Sequence, residues 1–395
     1  MTRVSTGSFM VAATGVVAAL ALSAPARAEL PALPKSAQVI TIVDAAGNLA
    51  LTQKAIENYR KDHPDVVSRF VLTKAPSPEL PGKIKAQQAA GRLDIDMILV
   101  GPDGLAAGIE QKIWEQTIPQ YAEKFPNLEK NYLPGAADMQ KAFNGYGVVV
   151  NYYPSGPLIE YAPERVKNPP KSAEELLAYC KANPNKFAYA RPANSGPGRT
   201  FIMGLPYILG DKDPKDPING WDKTWAYLKE LNSCIEYYPS GTGATMKEFG
   251  EGTRDMVVST TGWDINPRVL GIVPKSAEVT ALKGFHWVVD AHYMVVPKGL
   301  SKDKLAVVLD VMAHLLKPDQ QAYGYDEGYF YPGPAVKDVP LSMAPPESQE
   351  AIKNFGRPEY EALIAGAPLE RPLDADKLVA AFRKWDEEIG AAKTK

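Results

Sequence analysis

The sequence predicts a two-lobed α/β protein, each lobe a mainly parallel sheet with flanking helices, and three observations predict it. At 395 residues the chain is long for one hydrophobic core and is expected to divide into two. Its first hundred residues read strand, helix, strand, helix, strand, helix, the order of a parallel sheet wrapped by helices. The predicted strands run into turns of small and polar residues, such as Asp44–Asn48, Gly101–Gly104 and Asn194–Gly198. In open α/β sheets the carboxyl ends of strands are where ligands sit.

The elements follow in order. Gln38–Val43 is a β-rich first strand, and Leu49–His63 carries helical apolar spacing at Leu51, Ala55, Ile56 and Tyr59. Val66–Thr73 is a second strand, Pro78–Ala90 a helix, Ile95–Val100 a buried strand and Leu105–Lys112 a short helix. Gly145–Tyr152 is rich in β-branched residues, and the Pro/Gly-rich stretch after it has the composition of a crossing between lobes. A second unit begins at helix 173–182, with Ser172 as N-cap and Glu175 completing a capping box. Strand 186–190, a loop at Asn194–Gly198, helix 200–209, helix Trp221–Leu231, strand Ile235–Tyr238, helix 244–250 and strand Met256–Thr261 continue it. Phe285–Val296 is a β stretch able to carry the chain back, Leu305–Leu316 an amphipathic helix and Asp374–Ile389 an amphipathic tail.

Composition narrows the class. Hydrophobic residues make up 45% and charged residues 23%, ordinary for a globular protein. The net charge is −2 with no basic block, which argues against nucleic acid as a partner. Residues 1–28 have the form of a secretory signal peptide: Arg3, the apolar run Phe9–Leu22, and Ala26-Arg27-Ala28 as a cleavage site. Cleavage after Ala28 removes two arginines and no acids, leaving a net charge of −4. No Cys follows the apolar run to accept a lipid, so a soluble periplasmic protein is expected. In that oxidising compartment the two cysteines, Cys180 and Cys234, are candidates for a disulfide, the alternative being two small buried thiols.

Signs of catalysis are sparse. His63, His286, His292 and His314 do not fall in metal-ligand spacing, so neither a metal nor a cofactor is expected. Ser195 lacks the Gly-x-Ser-x-Gly frame of a nucleophile elbow. Gly196–Thr200 lacks the lysine and spacing of a phosphate-binding loop.

Another set of residues gathers at predicted strand ends. Asp44, Asn48 and Asp103 come from the first lobe, and Asn194, Ser195, Arg199, Ser240, Thr242, Trp263 and Asp264 from the second. Trp287, Asp290, His292 and Tyr293 lie on the returning strand, with Tyr329 and Tyr331 beyond it. Rings and acids together suit a cationic or polyhydroxyl ligand, whereas Arg199 and helix starts suit an anionic group; a zwitterion satisfies both.

The chain resembles the bacterial extracellular solute-binding proteins that serve ABC importers, especially the group holding the polyamine-, iron- and thiamine-binding proteins. The resemblance is carried by the exported start, Thr41–Asn48, Leu80–Gly91 with Asp94-Ile95-Asp96, and Gly145–Asn151. Ala190–Phe201, Thr242–Gly252, Asp290–Pro297 and Leu305–Pro318 complete it. It implies a periplasmic-binding-protein type II fold with the ligand cleft between lobes, no catalysis, and docking onto a membrane permease. The Tyr and His pair that would hold ferric iron has no counterpart here, while Trp263, Asp264, Trp287 and Asp290 are similar to the polyamine type of aromatic box.

The expected organisation is signal peptide 1–28, lobe 1 at 29–153, lobe 2 at 154–290, a return to lobe 1 at 291–345, and a helical tail at 346–395 packing on lobe 2. The expected function is capture of a small polar solute by hinge closure and its delivery to ABC permease subunits by a monomeric protein. The alternatives are an exported hydrolase on a two-lobe scaffold and a ligand sensor for a membrane receptor.

Overall fold

The computed structural model describes residues 1–2, 28–390 and 393. The signal-peptide expectation rests on residues outside these. Among the described residues eleven strands are formed: β1 (Gln38–Asp44), β2 (Val67–Lys74), β3 (Met97–Val100), β4 (Val148–Gly156), β5 (Leu158–Tyr161), β6 (Phe187–Ala188), β7 (Met256–Ser259), β8 (Glu278–Thr280), β9 (Trp287–Val295), β10 (Gly333–Pro334) and β11 (Leu369–Glu370). They make two sheets, one per lobe. The larger has the order β10-β4-β9-β3-β1-β2, with β11 pairing β9, and the smaller the order β6-β7-β5-β8.

Both sheets are mixed. In the larger one β1 runs parallel to β2 and β3, but β9 is antiparallel to β3 and β4. In the smaller one only β6 and β7 pair in parallel. The reason lies in the crossings. β4 leaves the first lobe and β9 re-enters it, so each meets its neighbours head to tail instead of through a βαβ crossover. β4 runs from Val148 to Gly156, with two irregularities in its register against β9, and β5 follows after Pro157, where the Pro/Gly-rich composition suggested a crossing between lobes. The returning strand β9 belongs to the larger sheet from Trp287 onward.

Side-chain alternation builds the first lobe's core. Ile40, Ile42, Met97, Leu99, Val148, Val150 and Met294 face one layer, against the helix Lys302–Leu315 through Val307, Val308 and Val311. Val43, Ile98, Val100, Val149, Tyr293 and Val295 face the other, which runs on into the second lobe. A period of two along each strand sends its successive residues to opposite layers. Helix Leu49–Asp62 buries Leu49, Leu51, Thr52, Ala55, Ile56 and Tyr59, the stripe its spacing predicted.

Several elements differ from the sequence expectation. Among the described residues Ile235–Tyr238 forms no strand, though Tyr238 N–H donates to the Lys393 carbonyl, and the helix after it starts at Thr242. The Gly196-Pro197-Gly198 segment is the first turn of helix Gly196–Leu209 and not part of a loop. Proline is at home there because the first helical positions have no intrahelical acceptor for their N–H groups. Cys180 and Cys234 are joined in a disulfide that ties helix Ala173–Ala182 to the segment after helix Asp222–Asn232. The tail does not rest on the second lobe alone. Helix Ala375–Trp385 lies along helix Pro102–Glu110 of the first lobe, while Trp385 is wedged against Tyr189 and Tyr238 of the second.

Candidate functional site

A cavity of about 210 Å³ lies between the lobes. Its floor and walls are the turns that follow β1, β3 and β7, the starts of helices Gly196–Leu209 and Thr242–Gly250, and the crossing segments. Five helices begin at or beside this space, at Leu49, Pro102, Gly196, Thr242 and Thr261. Three of those starts are closed by side chains. Asp44 accepts from the backbone N–H groups of Ala46, Asn48 and Leu49 at 2.9–3.0 Å. Ser195 accepts from Gly198 N at 3.1 Å, and Thr260 accepts from Trp263 N. The helices starting at Pro102 and Thr242 follow Gly101 and Gly241 and have no side-chain cap. At Thr242 the first N–H groups and the positive end of the dipole remain for other partners, whereas the helix at Pro102 begins with a residue that has no N–H and carries Asp103 in its first turn.

Arg199 is the centre of the charge arrangement. Its guanidinium reaches Asp103 of the first lobe at 3.0 Å and Asp290 of β9 at 2.5 Å, so one side chain ties the lobes together. Burial works against its charge, but Asp290 and Asp103 outweigh burial and raise its pKa. Burial likewise pushes the Asp290 carboxyl up, opposed by Arg199. Two carboxylates on one guanidinium leave an excess of acid in the wall. The rings of Trp263, Tyr153, Tyr329 and Phe330 line the rest. Trp263 meets Tyr329 edge-on at 5.3 Å, and Phe330 stacks between Tyr153 and His292.

Of the residues expected from sequence, the cavity gathers Asp103, Asn194, Ser195, Arg199, Thr242, Trp263, Asp290, His292 and Tyr329. Ser195 Oγ and Thr242 Oγ1 lie 2.7 Å apart, and Asn194 Nδ2 donates to the Ser240 carbonyl. Asp44 and Asn48 are buried and Ser240 is exposed, and none of the three lines the cavity.

Four further expected residues are elsewhere, and the structure gives each another role. Trp287 is fully buried, donates Nε1–H to the Leu363 carbonyl and packs on Phe285. Tyr293 is buried in the first lobe, with its hydroxyl on the Met139 carbonyl. Asp264 is the hub of an ion cluster, accepting from Arg268, Arg357 and Tyr360 at 2.6–2.9 Å. Tyr331 also lies outside the lining, its carbonyl held by Thr261.

The sequence reading missed Tyr153 and Phe330, whereas the turns it placed at strand ends do bring Ala45–Gly47, Gly101, Gly196 and Gly243 to the cavity. Strand parity was the available signal. Asp290 and His292 share one face of β9 while Trp287 and Tyr293 share the other, and Tyr153 pairs directly opposite Asp290.

A cleft between two α/β lobes, crossed by strands and walled by helix starts, defines a binding protein of the two-lobed periplasmic class. The family model for bacterial extracellular solute-binding proteins matches residues 54–355, and the chain belongs to that family. It is a solute-binding protein of the kind that serves ABC transporters.

Solved structures share the fold. An ABC transporter protein from Clostridium perfringens superposes with a TM-score of 0.63 at 16% identity, covering 89% of this chain and 98% of that one. A putative spermidine/putrescine ABC transporter protein from Listeria monocytogenes gives 0.59 at 16% identity, covering 89% and 98%. A periplasmic binding protein from Actinobacillus pleuropneumoniae with fructose-6-phosphate bound gives 0.61 at 16% identity, covering 89% and 99%. No curated protein matches the chain by sequence. Among the described residues no helix is long and apolar enough to cross a membrane.

Proposed function

We propose that this protein captures a compact zwitterionic solute in the interlobe cleft, in the periplasm, and hands it to the permease of an ABC importer. The observation that carries the solute class is the division of the wall. Excess carboxylate at Asp103 and Asp290 stands beside the faces of Trp263 and Tyr329 and suits a cationic group. The helix start at Thr242, without a side-chain cap or an acid in its first turn, suits a carboxylate. The volume of the cavity suits a small molecule and not an extended chain.

Capture works by closure. Contacts from both lobes are made together only when the cleft is shut, so a solute that bridges them shifts the hinge equilibrium toward the closed form. The protein acts as a monomer, exported by a signal peptide cut after Ala28. Binding without chemistry fits the state of the polar groups. Ser195 Oγ is held by Thr242 and Gly198, and His292 is bonded to Asn48, so no nucleophile and base are paired among the residues lining the cavity.

The test is a thermal-shift screen of the mature protein. Zwitterions (4-aminobutyrate, L-proline, glycine betaine) are compared with putrescine, fructose-6-phosphate, glucose and succinate. A bound solute raises the melting temperature by mass action. The zwitterions are expected to give the largest rise. A larger rise with the diamine, the sugars or the dicarboxylate would overturn the proposed class, and solute turnover would favour an exported hydrolase.

A further inference from the structure

The tautomer of His292 follows from a chain of hydrogen bonds that begins at a carbonyl in β10. Asn151 Nδ2 lies 3.2 Å from the Gly333 carbonyl oxygen, which can only accept. The amide nitrogen of Asn151 therefore faces Gly333, and its Oδ1 faces the other way. That Oδ1 is 2.8 Å from Asn48 Nδ2, which must donate to it. The same Asn48 Nδ2 is 3.0 Å from His292 Nδ1. An amide N–H cannot accept, so His292 Nδ1 presents a bare lone pair.

Turning Asn48 over would set its oxygen against Asn151 Oδ1. Turning both would set Asn151 Oδ1 against the Gly333 carbonyl. The Thr52 hydroxyl, 2.9 Å from Asn48 Oδ1 and 3.0 Å from the Asn48 carbonyl oxygen, is compatible with either orientation, so the Gly333 carbonyl decides. All three polar side chains of the chain are buried, so each misplaced oxygen would cost a desolvated group its partner.

A neutral imidazole has one N–H, and with Nδ1 bare it lies on Nε2. Burial keeps the ring neutral, pushing its pKa down to about 3, and Arg199 acts in the same direction. The other charged and titratable groups around the cavity are Asp103, Asp290, Tyr153 and Tyr329. His292 lines the cavity, and no hydrogen bond to another described residue occupies Nε2.

We propose that His292 binds the solute through a fixed Nε2–H donor, oriented by Asn48 and Asn151, and that the solute therefore carries an oxygen acceptor at this wall. An ammonium group cannot take that place. A carboxylate, carbonyl or hydroxyl oxygen can, and the carboxylate of a zwitterion meets the demand. This rests on the cleft being the solute site, but its first test does not.

That test is nitrogen NMR of the full mature protein labelled with ¹⁵N-histidine. The chain has four histidines, and the signal absent from His292→Gln identifies the residue. The expected pattern is a pyridine-like Nδ1 and a pyrrole-like Nε2, unchanged between about pH 5.5 and about pH 8. A proton on Nδ1, or titration within that range, would overturn the proposal. In Asn48→Asp a carboxylate replaces the donor, and the proton is expected to move to Nδ1; an unchanged ring would refute the positioning role.

The second arm measures affinity for whichever of 4-aminobutyrate, L-proline and glycine betaine shifts melting most. His292→Leu is expected to weaken binding about tenfold, one hydrogen bond's worth, and His292→Gln to recover most of it. Equal losses in the two variants, or none, would overturn the binding role. A screen in which no zwitterion binds refutes the proposed solute class and leaves the NMR result to decide the donor.

Discussion

At the residue scale the cleft depends on groups that keep a single protonation state. His292 stays neutral because burial and Arg199 both oppose its charge. Asp326 behaves differently. It sits at φ 43° just before the wall residues Tyr329 and Phe330, and burial with the nearby Glu327 raises its pKa to about 6. The folded state then holds a proton that the unfolded chain, with an ordinary aspartate, releases earlier. Between about pH 4 and about pH 6 the folded form binds more protons, so stability should fall as pH rises through that window. Asp326→Asn should remove this slope, on the order of 1–2 kcal/mol, when urea midpoints are compared at pH 4.5 and pH 7. An unchanged slope would mean that another group is responsible. Residue type alone misled at Asp264, Trp287 and Tyr293. An acid or a ring does the same service in a core as in a cleft, and the i,i+4 pairing of Asp264 with Arg268 was the hint that this acid was already engaged.

At the element scale, helices were more legible than strands. The stripe of Leu49–Asp62 and the cap of Ser172 on Ala173–Ala182 are local features and were read from the chain. The strand expected at Ile235–Tyr238 was not formed, because pairing depends on a neighbour that lies far away in sequence. Ser195 shows how one local motif serves two ends: it caps helix Gly196–Leu209 and touches Thr242 across the wall. The tail carries a sharper prediction. Trp385 is 1% exposed, packs on Tyr238 at 4.9 Å and donates Nε1–H to the Tyr189 hydroxyl. Trp385→Ala should lower stability by about 3–5 kcal/mol in urea unfolding. A loss below about 1 kcal/mol would show that the tail contributes little to holding the lobes together.

At the scale of the whole molecule, two lobes are joined through β4 and β9 and bridged by Arg199 and the tail. The second lobe is further constrained by the bond between Cys180 and Cys234, 54 residues apart. Closing a loop of that length restricts the unfolded chain by about 4 kcal/mol in the chain-entropy account. Reduction, or Cys180→Ala with Cys234→Ala, should lower the denaturation midpoint accordingly while leaving solute affinity near its original value, because neither residue lines the cleft. A large loss of affinity at unchanged stability would contradict this. The sequence by itself determined the two-lobed α/β class and the turns at strand ends, since periodicity, length and turn chemistry are written locally. Only the tertiary structure decided which residues face the cleft. The mixed direction of the sheets, the parity of β9, the twin carboxylates on Arg199 and the tautomer of His292 all depend on partners up to 244 positions away, and no local pattern records them.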